Sequence, residues 1–167
     1  MSDFLEQLAR ENNGAIEVDE PTGRPLFVVL AGPIKVWWEP GKWDSPLHKA
    51  YVKHRDATEA FLVERGILVY KPHTAWRGAW HEAAQKVNDL AVAEADALVV
   101  LTPQDGPYGA RQWAVSCAGT LHEMAVAKRN GTRVVLHPVE EADPELQFAY
   151  LLDALTTYFP DREFRTA

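Results

Sequence analysis

Short apolar stretches alternate with longer amphipathic stretches from residue 26 onward. The apolar stretches at residues 26–31, 67–70, 97–101 and 133–137 are rich in β-branched and aliphatic residues, which predicts four strands. Their residues are apolar at successive positions rather than at every second position, so both faces of each strand should be buried. This pattern is typical of a parallel sheet with helices on both sides.

Four amphipathic segments follow these strands and predict helices at residues 47–64, 81–94, 120–129 and 145–158. Glycine-containing turns such as Arg65-Gly66 and Asn130-Gly131 close two of them, as expected at helix ends. The regular alternation of strand and helix predicts an α/β fold.

The chain has 167 residues, of which 47% are hydrophobic. This length is enough for one core and too short for two. We therefore predict an N-terminal arm or linker over residues 1–25, which is rich in Gly, Pro, Asn and acidic residues near its end. A single domain should occupy residues 26–167.

The net charge of −7 argues against binding to polymeric nucleic acid, because such proteins usually carry a basic surface. A small phosphorylated ligand is still compatible with this charge, since a few donors can hold one phosphate. No apolar run approaches the roughly 20 residues that a membrane span requires, and residues 1–20 lack a signal-peptide core. We expect a soluble, cytoplasmic protein with no membrane partner.

The sequence indicates neither a metal nor another cofactor. Cys117 is the single cysteine, and the six histidines lack the spacings of known metal motifs. The chain has no Gly-x-Gly-x-x-Gly motif and no Walker loop, so a dinucleotide or ATP is not indicated.

Ligands of open α/β sheets bind beyond the carboxyl ends of the strands, which directs attention to the loops at residues 32–46, 72–80, 102–119 and 138–144. Gly32 and Pro33 follow the first strand, where a glycine lets a ligand approach the backbone. His73 and Trp76 follow the second strand and could stack on a nucleobase. An ordinary surface loop with a half-buried tryptophan accounts for that second pair equally well.

The long third loop ends in a group of candidate phosphate ligands. Ser116, Gly119 and Thr120 approach a helix start, where free N–H groups and the helix dipole favour an anion. Arg111 is a further candidate for a phosphate. Cys117 lies near the same dipole, although a small buried cysteine is the simpler interpretation.

Glu123 follows Thr120 at the spacing of a capping box, in which both side chains satisfy free N–H groups of a helix start. The same position suggests a nucleophile, because the positive end of a helix dipole favours an ionised carboxylate that can attack an anomeric carbon. Asp89 is a second acid that could orient Glu123 or serve a leaving base. A helical wheel places Asp89 opposite the apolar stripe 83, 84, 87, 90 and 91, which is more typical of a solvated residue.

Four segments together resemble the nucleoside 2-deoxyribosyltransferase superfamily, which also contains nucleoside 5′-monophosphate N-glycosidases. They are LAGP at residues 30–33, NDL at 88–90, ADALVV at 95–100 and GTLHEMAVA at 119–127. The resemblance spans residues 26–137. It implies a flavodoxin-like or Rossmann-like three-layer sandwich with a mostly parallel sheet, a homodimer whose partner completes the site, and a retaining mechanism through a glycosyl-enzyme ester.

The resemblance also implies roles for individual residues. Glu123 matches the nucleophile, Asp89 the acid that assists the leaving base, and Gly32 the loop that faces the sugar. Asn88, in the same motif as Asp89, is expected to be a substrate-binding residue. The substrate would be a small-molecule nucleoside or nucleotide.

One departure from the family pattern bears on the reaction. Transferases of this family commonly carry an aspartate six residues before the nucleophile, and Cys117 stands there in this chain. The monophosphate hydrolases carry a small polar residue, which Ser116 or Cys117 matches better, so a nucleotide N-hydrolase is favoured over a transferase.

Two alternatives stay open. The Gly-Thr-x-x-Glu motif also resembles the lysine-decarboxylase-like phosphoribohydrolases, although their Pro-Gly-Gly is replaced by other residues here. A non-catalytic nucleotide-binding domain with the same fold is the other alternative.

Overall fold

The computed structural model describes residue 7 and residues 25–32, 46–72, 82–103, 118–139 and 144–164. Strands and helices alternate in these ranges: β1 (Phe27–Ala31), α1 (Pro46–Glu64), β2 (Leu68–Tyr70), α2 (Glu82–Glu94), β3 (Ala97–Pro103), α3 (Ala118–Asn130), β4 (Arg133–Val139) and α4 (Pro144–Tyr158). Every predicted strand and helix is confirmed, with ends that differ by at most two residues. No helix in the described ranges has the length and apolar character of a membrane span.

The four strands form one parallel sheet in the order β2-β1-β3-β4. β1 therefore lies between β2 and β3, with Val28 opposite both Val69 and Ala97. This is the strand order of flavodoxin-like folds, in which ligands bind where the order reverses, at the carboxyl ends of the strands that correspond to β1 and β3. Gly32 lies at this point, buried directly after β1.

Helices cover both faces of the sheet. On one face Phe27, Val29 and Ala31 of β1 share a core cluster with residues of α2 and α3. On the other face Val28 and Leu30 share a second cluster with residues of α1 and α4. The predicted three-layer α/β sandwich is confirmed, and successive strand residues point to opposite layers as their continuous apolar pattern requires.

Glycines end two of the helices in the left-handed backbone conformation. Gly66 and Gly131 have φ angles of 76° and 77°. After each of them the chain donates a hydrogen bond back to the helix, from Ile67 N–H to the Leu62 carbonyl at 3.1 Å and from Thr132 N–H to the Ala127 carbonyl at 3.0 Å. This pairing satisfies carbonyl groups that a helix end leaves free, and it directs the chain into the following strand.

The buried face of α2 differs from the predicted stripe. The buried residues are Ala84, Asn88, Ala91 and Val92. Leu90, which the wheel placed in the core, is 46% exposed. The reason is that α2 packs against α3 as well as against the sheet, so its buried arc is turned toward that neighbouring helix.

Candidate active site

Glu123 and Asp89 lie on the neighbouring helices α3 and α2. Glu123 is the sixth residue of α3 and Asp89 the eighth of α2, roughly 8 and 11 Å along each axis from the helix start. Each helix follows the carboxyl end of a strand, and both acids lie near the middle of their 13-residue helices. Glu123 is only 8% exposed, while the Asp89 side chain is 33% exposed.

Burial raises the pKa of Glu123 to about 8, and the nearby charge of Asp89 makes a smaller contribution to the same rise. The expectation that the helix dipole keeps Glu123 ionised is therefore wrong. The helix begins at Ala118, which places Glu123 in the second turn, and the effect of the dipole fades within the first turn. Near neutral pH Glu123 is mostly protonated beside a second carboxyl group.

Thr120 does not cap α3, because the helix begins two residues before it. Its side chain is 1% exposed, and its Oγ1 has no hydrogen-bond partner among the described residues. The predicted capping box is thus absent, and Thr120 instead presents a buried hydroxyl one helical turn before Glu123.

Asp89 is held by donors from both helices. Gln85 Nε2 donates to Asp89 Oδ1 at 2.7 Å, and His122 Nε2 lies 2.8 Å from the same oxygen. Neither donor was predicted from the sequence. Gln85 lies at the i, i+4 spacing from Asp89, which is a usable signal, but only the packing of α2 against α3 brings His122 to Asp89.

Asn88 is fully buried next to this pair. Tyr70, the last residue of β2, donates from its hydroxyl to Asn88 Oδ1 at 2.7 Å. Asn88 Nδ2 has no hydrogen-bond partner within the described ranges. Buried polar groups are rarely left unpaired, because the lost hydration is not repaid. Asn88 Nδ2 and Thr120 Oγ1 are therefore two unused hydrogen-bonding groups on the helices that carry the acids.

The other predicted site residues divide into two groups. Gly119 lies half-buried in the first turn of α3, at the same edge of the sheet as Gly32. The remaining candidates lie outside the described residues, and their roles stay predictions: Pro33, His73, Trp76, Arg111, Ser116 and Cys117.

Two other features lie at the amino-terminal edge of the sheet. Asp96 Oδ2 accepts a hydrogen bond from Phe27 N–H at 2.8 Å, which ties the start of β3 to that of β1 and gives this acid a structural role. An open cavity of about 540 Å³ is also found there, beside the start of β4. Its lining comprises Met124, Ala125, Lys128, Gly131, Thr132, Arg133, Val134 and Tyr158.

Comparisons with known proteins gave matches among solved structures. No family model and no curated protein matches the chain. A 2-deoxyribosyltransferase from Bacillus psychrosaccharolyticus is 16% identical, with a TM-score of 0.46 over 73% of this chain and 79% of the other. A CMP N-glycosidase from Clostridium botulinum is 19% identical, with a TM-score of 0.43 over 79% of this chain and 81% of the other.

At this identity and TM-score no residue role transfers from either protein. The roles of residues in this chain rest on its own geometry.

Proposed function

We propose that this protein cleaves the N-glycosidic bond of a nucleoside or a nucleoside 5′-monophosphate, with Glu123 and Asp89 as its catalytic pair. The observation that carries the proposal is the buried Glu123 carboxyl group beside Asp89, with its pKa raised to about 8. Burying an acid beside another acid is unfavourable for folding, and such perturbed groups cluster at functional sites. Near neutral pH the pair retains one proton.

A pair of carboxyl groups with one proton matches the needs of retaining glycoside cleavage, in which one group attacks and the other donates. Glu123, as the carboxylate, forms a bond to C1′ of the sugar while the C1′–N bond breaks and its electron pair passes to the base. Asp89 donates the proton of the pair to the departing base. This step requires the proton to move from Glu123 to Asp89 before the attack.

Water then attacks C1′ of the glycosyl ester, and the C1′–O bond to Glu123 breaks. Asp89 accepts a proton from the water, which restores a pair with one proton. Two displacements at C1′ leave the sugar with its original configuration. Water is the favoured acceptor because of the residues at positions 116 and 117, and a second base would make the enzyme a transferase.

The unpaired polar atoms give the substrate a place to bind. Asn88 Nδ2 can donate to a sugar hydroxyl, and Thr120 Oγ1 can donate to or accept from a hydroxyl or a phosphate. Gly32 and Gly119 carry no side chain, which would let a ligand approach the backbone closely. Together with the pair of acids, these groups favour a small polar substrate such as a nucleoside.

The test is an assay of free base, by chromatography, with a panel of nucleosides and their 5′-monophosphates. Glu123→Gln should lower base release by roughly 10³-fold or more, because it removes the attacking group. Glu145→Gln is the matched control, since Glu145 is exposed in the first turn of α4, in the opposite layer.

Unfolding curves should show that both variants are folded. Full activity of Glu123→Gln would refute the proposal. Binding of nucleotides without base release by the unmodified protein would favour a non-catalytic binding domain. Adding a second free base distinguishes transfer from hydrolysis.

A further inference from the structure

The Asp89 carboxylate is restrained from two directions. One of its oxygens, Oδ1, accepts a hydrogen bond from Gln85 on its own helix and lies within hydrogen-bond distance of His122 on α3, at 2.7 and 2.8 Å. Hydrogen bonds from both helices restrain the Asp89 carboxylate relative to α2 and to α3 at the same time. Its position is therefore fixed by the packing of α2 against α3.

His122 and Glu123 are adjacent in sequence and point in different directions from α3. Successive helical residues are about 100° apart around the axis, and the exposed fractions agree, with 43% for His122 and 8% for Glu123. Asp89, at 33%, lies on the boundary between solvent and the buried Glu123. Without a restraint a carboxylate at such a boundary gains hydration by turning outward.

We infer that His122 is a positioning residue, which together with Gln85 holds the Asp89 carboxylate near the Glu123 carboxyl group. His122 acts through Asp89. The inference depends on the proposed function only for its effect on turnover. Its structural content, that Asp89 is kept beside Glu123, stands independently of the reaction.

Both helices contribute charged or titratable groups around the two acids. Among the described residues, Asp89 is the group on α2 whose charge raises the pKa of Glu123, and His122 is the neighbour from α3 that bonds Asp89. Glu82 and Lys86 form a separate, exposed ion pair on α2 at 2.8 Å. A change at Lys86 therefore serves as a control for altered charge on this helix.

The experiment is an NMR titration of the Glu123 carboxyl carbon in the full chain labelled with [δ-¹³C]glutamate, with Glu123→Gln to assign the signal. His122→Leu removes the donor, so Asp89 should turn toward solvent and the titration midpoint of Glu123 should fall. We expect a fall of about half a pH unit, a threefold change in proton affinity. His122→Gln keeps an N–H donor and should restore most of the midpoint, and Lys86→Met should leave it unchanged.

The Asp89→Asn background tests whether His122 acts through Asp89. In that background His122→Leu should cause no further shift of the midpoint. An unchanged or raised midpoint in the single variant would overturn the inference, as would an equal shift in both backgrounds. If His122→Leu does not fold, Gln85→Met removes the other donor and should lower the midpoint in the same way.

Turnover provides a second, separable measurement. If the proposed function is correct, His122→Leu should reduce kcat with little change in KM, because Asp89 is displaced while substrate contacts remain, and His122→Gln should restore it. A shifted NMR midpoint in a protein that releases no base would support the positioning role and refute the proposed function. An unshifted midpoint in a protein that releases base would support the proposed function and refute the positioning role.

Discussion

At the scale of single residues, burial rather than the helix dipole determines the charge of Glu123. The sequence places this acid near a helix start, which suggests an ionised carboxylate. In the structure α3 begins earlier, and Glu123 is buried near the charge of Asp89 on α2, so the pKa of Glu123 is raised to about 8. The sequence could identify Glu123 and Asp89 as candidates, but their mutual effect depends on the packing of two helices and could not be predicted.

The raised pKa of Glu123 has a direct consequence for the pH dependence of the proposed base release. Below about pH 8 the pair of acids retains the proton that the proposed step transfers to the leaving base, and above it this proton is lost. We expect kcat/KM to fall above pH 8, by about tenfold per pH unit. Initial rates of base release between pH 6 and 10 would test this. An increase in kcat/KM through pH 8 would instead show that the active form carries no proton on the pair.

At the scale of secondary-structure elements, the sequence was a reliable guide to where strands and helices lie. The apolar runs mark the strands because both of their faces are buried, and Gly66 and Gly131 mark two helix ends because both adopt positive φ. The helical wheel of α2 failed at Leu90, since a wheel built for contact with a sheet omits the contact with α3. A single amphipathic pattern does not show how many neighbours a helix has.

The helix end at Gly131 allows a test at this scale. Gly131 has a φ of +77°, and an added Cβ would meet no atom within 4 Å. Gly131→Ala should therefore lower the free energy of unfolding only through backbone strain, by about 1–2 kcal/mol. Gly131→Asn should cost less, because asparagine tolerates this conformation better. Urea unfolding measures both, and an alanine variant as stable as the unmodified protein would contradict a role for positive φ at this helix end.

At the scale of the whole molecule, the sequence predicted the fold class, which is confirmed, while the placement of the site at the carboxyl edge of the sheet stays a prediction. The sequence did not give the strand order, in which β1 separates β2 from β3, because contacts distant in sequence determine that order. The two helical layers also differ in chemistry. The layer of α2 and α3 carries the pair of acids, and the layer of α1 and α4 packs against a pair of stacked histidines, of which one is half-buried and one buried.

The histidine pair consists of His54 on α1 and His137 on β4. Their ring centroids are 5.2 Å apart, and both rings also stack with Phe148 of α4. Burial lowers the pKa of His54, while burial and the charge of His54 lower the pKa of His137 to about 3. The folded protein therefore keeps the His137 imidazole neutral at mildly acidic pH, where an unfolded chain would protonate it.

This difference in protonation predicts a loss of stability in acid. The contribution of His137 is complete above its unfolded pKa of 6.5 and is lost as the pH falls toward 3. Between pH 7 and pH 5 the free energy of unfolding should decrease less in His137→Phe than in the unmodified protein. Urea unfolding at each pH measures this, with Tyr150→Phe, an exposed change on α4, as the control. An equal decrease in all three proteins would show that His137 is not buried in its neutral form.

The most direct test of the proposed chemistry is to look for the sugar on Glu123. The protein would be mixed with a nucleoside or monophosphate that it cleaves, quenched in acid during turnover, digested and analysed by mass spectrometry. We expect a peptide containing Glu123 whose mass is increased by the sugar of the substrate, and no such peptide from Glu123→Gln. A sugar attached to another residue, or base release with no attached sugar at any quenching time, would contradict the assignment of Glu123 as the nucleophile.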